Sequence, residues 1–250
     1  MLLDPAATTR QFHDNGFAIV RSVFNDDEIA RFSDALDTVT RDVAPRLGPG
    51  EVYYEDTPER PIKSLFRLEN HSDVFASLVG DARLLTLVRA VYDDPDARLR
   101  TAAMFAKPAR HGSVTPAHQD NVFQCWDPPE ALTITVAVDP STCDNGPLVC
   151  QKGSHRLGLL PHRPSGVMGF SQMLIDPLDT GKWPEVELCL EPGDISRHAT
   201  ETVHRSGPNG TDQSRRQIAV GAYSSRAKVD EKRRARRNAI VAKLHDDHER

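Results

Sequence analysis

Pro116-Ala117-His118-Gln119-Asp120-Asn121 lies in the part of the chain where helical periodicity gives way to short β-like runs. A His and an Asp two positions apart on a strand point to the same face, because side chains alternate with period two. Imidazole and carboxylate on one face are two of the three protein donors of the His-carboxylate-His facial triad that holds Fe(II). The pattern H-x-D occurs three times, at His71-Ser72-Asp73, His118-Gln119-Asp120 and His245-Asp246-Asp247. Ten histidines and the Asp frequency give about one such match by chance, so context has to arbitrate. Asp73 reads as the start of a short helix, where acids favour the N-terminus. His245 and Asp247 fall in a charged tail. On a helix the two side chains of either pair diverge, which leaves His118 and Asp120.

Outward from this motif, the strand-rich texture begins at Leu99. Runs at 101–107, 132–138, 148–151, 186–190 and 217–223 read as strands. Asp127-Pro128-Pro129, Asp144-Asn145-Gly146-Pro147, Pro192-Gly193-Asp194 and Pro208-Asn209-Gly210 separate them as turns. Many short strands punctuated by turns predict a sandwich or jelly roll. The first hundred residues read as mostly helical. Asn25 with Glu28 three residues on is a capping box, and Ile29, Phe32, Leu36 and Val39 follow at helical spacing. A second helix is expected over 82–92, with Leu84, Leu85, Val88 and Val91 inward, and a Gly/Pro-rich loop over 45–61. The expected whole is mainly β with flanking helices: one domain over 1–250, with a mostly helical wrap (1–98), a double-stranded β-helix (jelly-roll, cupin-like) core (99–225) and a charged C-terminal helix (226–250).

Composition removes other classes. The chain has 250 residues, 38% of them hydrophobic, and a formal net charge of -5. Apolar runs such as 134–138 are far shorter than the roughly 20 residues of a membrane-spanning helix. No basic stripe outside the tail calls for nucleic acid. In the tail, Arg233, Arg234, Arg236 and Arg237 are diluted by Asp246, Asp247 and Glu249, so a solvated surface helix is expected. Cys125, Cys143, Cys150 and Cys189 form no C-x-x-C pair, and read as small buried residues in a reducing compartment. Residues 1–10 lack a basic region followed by an apolar one, so the cytoplasm is expected. H-E-x-x-H, G-x-S-x-G, Walker and G-x-G-x-x-G motifs are absent. An oligomeric state is not encoded legibly.

The third donor comes from His198-Ala-Thr-Glu-Thr-Val-His204-Arg205-Ser206-Gly-Pro-Asn209. His204 lies 84 residues after Asp120, behind the Pro192-Gly193-Asp194 turn. Arg215-Arg216 begins 11 residues further on. An Arg one strand beyond the second His suits a dicarboxylate co-substrate, because guanidinium grips carboxylate with two parallel bonds.

Together the ordered pieces resemble the phytanoyl-CoA dioxygenase family of Fe(II)/2-oxoglutarate oxygenases. They are Phe105-Ala-Lys107-Pro108, Pro116-Ala-His118-Gln119-Asp120-Asn121, Asp144-Asn-Gly146-Pro-Leu148, Gly153-Ser-His155, Pro192-Gly-Asp194, His204-Arg-Ser206-Gly-Pro-Asn209 and Arg215-Arg216. The resemblance runs over 98–224 and extends loosely over the helical part. It implies His118, Asp120 and His204 as iron ligands, and Arg215 on the distal carboxylate of 2-oxoglutarate with Ser206 at the same end. It also implies Gln119, Thr133 and Thr135 lining the co-substrate, and Lys63 as a co-substrate lysine with Arg67 as its rival. Arg216 is the fallback for Arg215, since a one-residue slip flips the face. His155 is expected to be a hydrogen-bonding scaffold residue, and His198 a support of the ligands, a substrate-contacting group or ordinary core. Phe123, Gln124 and Trp126 either wall a substrate pocket or belong to the core.

The family's chemistry implies O2 as oxidant, ascorbate as an accessory reductant, and succinate and CO2 as co-products. Halogenating relatives have a small residue in place of the carboxylate ligand. Asp120 therefore favours hydroxylation, desaturation, demethylation or ring closure. The pocket stretches 53–67, 121–126 and 163–173 mix polar and aromatic groups, which suits a freely diffusing metabolite or secondary-metabolite intermediate. Two other readings remain: a cupin-like binding or regulatory module without turnover, and a metal-dependent isomerase or oxidase that uses no 2-oxoglutarate.

Overall fold

A computed structural model describes residues 5–167 and 169–248, with side chains over 6–167 and 169–242. Strands β1 (Phe17–Val20), β2 (Val52–Tyr54), β3 (Ile62–Phe66), β4 (Arg98–Lys107), β5 (Thr115–His118), β6 (Trp126–Asp127), β7 (Ala131–Ala137) and β8 (Leu148–Gln151) are followed by β9 (His162–Val167), β10 (Phe170–Leu174), β11 (Glu185–Leu188), β12 (Ile195–Ala199), β13 (His204–Ser206), β14 (Arg215–Tyr223) and β15 (Lys228–Val229). Helices α1 (Pro5–Asn15), α2 (Asp26–Thr38), α3 (Asp73–Leu78) and α4 (Ala82–Tyr92) precede β4; α5 (Asn121–Gln124) and α6 (Glu231–His248) come later.

A seven-stranded antiparallel sheet has the order β1-β12-β7-β14-β4-β3-β2, and a four-stranded sheet the order β11-β8-β13-β5. This is a jelly-roll core. Strand alternation gives the large sheet two chemically different faces. Met104, Leu132, Ile134, Val136, Ile195, Ile218 and Val220 pack with Phe12, Ile29, Phe32, Leu36, Leu84, Leu87 and Val88 of the helices. Each such side chain, withdrawn from water, contributes about 1.5–3 kcal/mol before conformational entropy is subtracted. The other face carries Ala103, Phe105, Thr133, Thr135, Arg215, Gln217 and Ala219 into a cavity. Arg197 of β12 turns to the helical side, where it is fully buried and donates to Leu87 O at 2.8 Å and Thr8 Oγ1 at 2.9 Å.

Local sequence signals translate directly in places. Asn25 and Glu28 form a reciprocal capping box on α2. The helix expected over 82–92 is α4, capped by Asp81, although Leu87 rather than Leu85 completes its buried stripe. The 45–61 loop differs from expectation: Val52–Tyr54 pairs with β3 at the edge of the large sheet. The 1–98 stretch is likewise not simply a helical wrap, because β1, β2 and β3 all join that sheet. These three strands have 3 to 5 residues each, too short for a period-two pattern to stand out. The cysteines are unpaired, and Cys143 is exposed rather than buried. No helix among the described residues is long and apolar enough to cross a membrane.

Candidate metal centre and co-substrate pocket

His118 ends β5 and His204 begins β13, and the two are register partners across the small sheet. Their ring centroids lie 4.2 Å apart. Each Nδ1 faces a backbone carbonyl two residues earlier, Pro116 O at 2.7 Å and Thr202 O at 2.9 Å. With that proton on Nδ1, each Nε2 keeps a free lone pair for a metal. Burial, together with neighbouring His118 and His198, holds the His204 imidazole well below its usual titration range, so it stays neutral as a ligand must.

Asp120 is not on the strand. It has helical backbone angles, φ -58° and ψ -30°, and caps α5. Its carboxylate meets the imidazoles because the chain turns sharply after β5, not because strand side chains alternate. Oδ1 lies 3.7 Å from His118 Nε2 and 3.5 Å from His204 Nε2. Oδ2 accepts from the Thr133 hydroxyl at 2.6 Å and lies 3.2 Å from His198 Nε2. Burial opposes ionisation, yet His204, His118 and His198 hold the Asp120 carboxyl well below the usual range. One donor atom from each of His118, Asp120 and His204 falls within 4.8 Å of the others. Two imidazoles and one carboxylate on one side, with a cavity on the other, fit Fe(II) with open coordination positions.

The cavity has a volume of about 670 Å³. Phe66, Phe105, Phe123 and Phe170 wall it, with Phe123 edge-on to His118 at 5.5 Å. At its far end stands Arg215, 4% exposed. The guanidinium donates to Gln217 Oε1 and, at 3.0 Å, to Gly146 O. Arg215 Nε and Gln217 Nε2 are buried without a partner. Burial lowers the guanidinium to about 10, so it remains charged and without a carboxylate. The orphaned donors fit the distal carboxylate of a keto acid. Ser206 lines the same end and donates to the same Gly146 carbonyl at 2.8 Å. Arg216 points the other way, to Asp139 at 2.9 Å, Asp37 at 2.8 Å and Ser33.

Thr135 and Lys63 line the cavity. Lys63 is 6% exposed and donates to Ser113 Oγ at 2.8 Å, with Glu55 Oε2 at 3.9 Å. Its rival Arg67 sits at the rim with an exposed side chain. Gln119 does not line the co-substrate space. Pointing away from its flanking ligands, it is fully buried and spends its amide on Gly158 O, Glu201 O and Leu160 N. Thr133 lines the cavity, but its hydroxyl proton goes to Asp120. His155 Nε2 contacts His13 O at 3.1 Å, as a scaffold residue would. Of the candidate wall residues, Phe123 and Gln124 face the cavity, whereas Trp126 stacks on Tyr223 at 4.7 Å outside it.

Sequence reasoning gives no individual role to Lys107, Glu55, Ser113, Gln217 or Phe170, all of which line the cavity; Glu55 and Phe170 fall within the expected pocket stretches 53–67 and 163–173. The tail helix is not merely solvated. Arg233 donates to Asn121 O at 2.8 Å and Arg237 to Phe123 O at 3.2 Å, so α6 clamps the segment after the metal motif. The side chains of His245, Asp246, Asp247 and Glu249 lie outside the described residues.

The sequence model of the phytanoyl-CoA dioxygenase (PhyH) family matches residues 12–217. A probable alpha-ketoglutarate-dependent hypophosphite dioxygenase of Stutzerimonas stutzeri is 26% identical over 227 residues, 86% of this chain and 77% of that one. The crystal structure of EvdO2 from Micromonospora carbonacea var. aurantiaca superposes with TM-score 0.73 at 26% identity, covering 92% of this chain and 94% of the other. EctD from S. alaskensis, solved with 2-oxoglutarate and 5-hydroxyectoine, shares the fold: TM-score 0.73, 22% identity, 90% of this chain and 78% of that one.

Proposed function

The chain belongs to the phytanoyl-CoA dioxygenase family, and from that premise we propose a role for each residue of its site. The protein is a non-haem Fe(II)/2-oxoglutarate-dependent dioxygenase acting on a small molecule. His118, Asp120 and His204 are its metal ligands. Arg215, with Ser206, Thr135 and Lys63, holds the co-substrate. The observation that carries the reading is the pairing of two features in one cavity: three converging donors at one end, and a buried guanidinium without a carboxylate at the other.

Iron, with O2 and 2-oxoglutarate, supplies the oxidising power, and the keto acid leaves as succinate and CO2. The residues supply the rest. The Nδ1 bonds of His118 and His204 fix each tautomer before metal arrives. Thr133 and His198 occupy Oδ2 of Asp120, which leaves Oδ1 as its donor atom. Arg215 orients a dicarboxylate by its far end, so that its keto-acid end reaches the metal side. Phe123 and Phe170, whose rings lie 5.5 and 5.7 Å from that of His118, give the metal end apolar walls that exclude water. With Asp120 occupying the carboxylate position, hydroxylation is the favoured outcome, on a freely diffusing metabolite or secondary-metabolite intermediate. Residues 1–250 act as one catalytic domain in the cytoplasm, in keeping with the unpaired cysteines.

The test is metal retention. His118→Ala, Asp120→Ala and His204→Ala each lose Fe(II) that the parent retains through anaerobic gel filtration. Unchanged retention in all three contradicts the assignment.

A further inference from the structure

Lys107 closes β4 and Arg215 opens β14, and the two residues are direct cross-strand partners. Each is 4% exposed. Like charges directly opposite on neighbouring strands repel, and burial strengthens the repulsion. Neither reaches a carboxylate. Lys107 Nζ donates to the Ser113 carbonyl, while Arg215 has only Gln217 Oε1 and Gly146 O and keeps an orphaned Nε. Lys63, on β3, is the third buried cation here. The buried carboxylate at this end, Glu55, lies 3.9 Å from Lys63 and accepts from Ser113 N at 2.9 Å. Asp139 is taken by Arg216 on the opposite side of the sheet. Lys63, Lys107 and Arg215 thus gather at one end of the cavity, where Glu55 is the buried carboxylate among the described residues. Uncompensated buried charge is costly, and the cavity between these cations is where an anion offsets it.

We propose that Lys107 is a further cationic anchor for the distal carboxylate of the co-substrate, beside Arg215, and makes the pocket select a keto acid that is charged at its far end. This rests on the 2-oxoglutarate reading above and adds a residue to it. It also has a proton consequence. The groups facing Lys107 are Arg215 from β14, Lys63 from β3 and Glu55 after β2. Burial, then Arg215 and Lys63, lower its ammonium to about 7, with Glu55 opposing. Near pH 8 the free protein therefore carries Lys107 largely as the neutral amine. A carboxylate beside it favours the ammonium, so co-substrate binding draws one proton onto Nζ. The N–H bond it forms takes its proton from the buffer acid, and no other covalent bond changes.

The experiment is anaerobic calorimetry on iron-loaded protein, with 2-oxoglutarate and with pyruvate, which lacks the distal carboxylate. Titrations at pH 8 use two buffers of different ionisation enthalpy. The parent takes up close to one proton per 2-oxoglutarate at pH 8 and little at pH 6. Lys107→Met weakens 2-oxoglutarate about tenfold or more, abolishes the uptake, and leaves iron retention and pyruvate affinity unchanged; Lys107→Arg restores affinity without uptake. Unchanged 2-oxoglutarate affinity in Lys107→Met, or equal losses for both keto acids, overturns the proposal. A parent that holds iron but binds no 2-oxoglutarate overturns the co-substrate reading itself.

Discussion

The Thr133 hydroxyl donates to Oδ2 of Asp120 at 2.6 Å, and that bond settles which carboxylate oxygen faces His118 and His204. Thr133 sits on β7 opposite His198 of β12, so both supports of Asp120 come from the large sheet while both imidazoles come from the small one. The metal centre is therefore a joint between the two sheets.

Thr133→Val removes this support while keeping the shape. Loss of a bond that orients a metal ligand typically costs 10–100-fold in metal affinity. We expect a fall of about tenfold or more in Fe(II) affinity for Thr133→Val and near-parental affinity for Thr133→Ser, read by competition with a chelator. Equal affinities for Thr133→Val and the parent exclude the orienting role.

Arg215 and Arg216 separate by what their loss changes. Arg215→Met removes the buried guanidinium, a loss of about 2–5 kcal/mol for a hydrogen-bonded charge, so 2-oxoglutarate affinity falls by roughly 30-fold or more. Arg216→Met breaks the bidentate pair with Asp139 and leaves the cavity alone. It lowers stability by about 1–3 kcal/mol with 2-oxoglutarate affinity unchanged. The reverse pattern would make Arg216 the anchor.

That distinction was half legible in the sequence. Two adjacent arginines on a strand must face opposite sides, but only the pairing of β14 with β4 and β7 says which side is the cavity. His118 and Asp120 were found by a spacing argument whose premise was wrong: Asp120 caps a helical turn rather than continuing β5. The co-substrate role of Gln119 came from the family resemblance alone; strand alternation already turns it from the flanking ligands, and its amide ties two loops together. Lys107 stood in a quoted motif, yet its partner lies 108 residues away and local periodicity cannot report such a pairing. Helices α2 and α4 were readable because caps and apolar stripes are local. The edge strand β2 and its neighbour β3 were not, since their hydrogen-bond partners are supplied by the sheet.

Gly146 has φ +76°, and a Cβ there would lie 2.5 Å from Gly207 O. Its own carbonyl accepts from both Ser206 and Arg215. Gly146→Ala strains this turn and moves the shared carbonyl. We expect weaker 2-oxoglutarate binding with Fe(II) affinity intact, measured by titrating each separately; an unaltered 2-oxoglutarate affinity would show that the carbonyl does not position Arg215.

Away from the site, Arg83 bridges Glu28 of α2 and Asp81, the cap of α4, at 2.7 Å each. Arg83 lowers the Glu28 carboxyl; burial raises that of Asp81, but the Arg83 bond and backbone donors leave it lowered. A carboxyl lowered on folding stabilises above its unfolded value, about 4, and loses that contribution as pH falls through its folded value. The melting temperature should therefore drop between pH 5 and 3, with a shallower drop in Arg83→Met. Parallel acid limbs in thermal melts would show that the bridge contributes nothing.

The central claim is that one cavity binds Fe(II) at His118, Asp120 and His204 and turns over 2-oxoglutarate held at Arg215. Succinate formation from 2-oxoglutarate by anaerobically iron-loaded protein exposed to O2 tests it most directly. The account predicts iron-dependent succinate, lost in Asp120→Ala and strongly reduced in Arg215→Met. Iron-loaded protein that binds no 2-oxoglutarate and forms no succinate, or succinate that persists in Asp120→Ala, would contradict it.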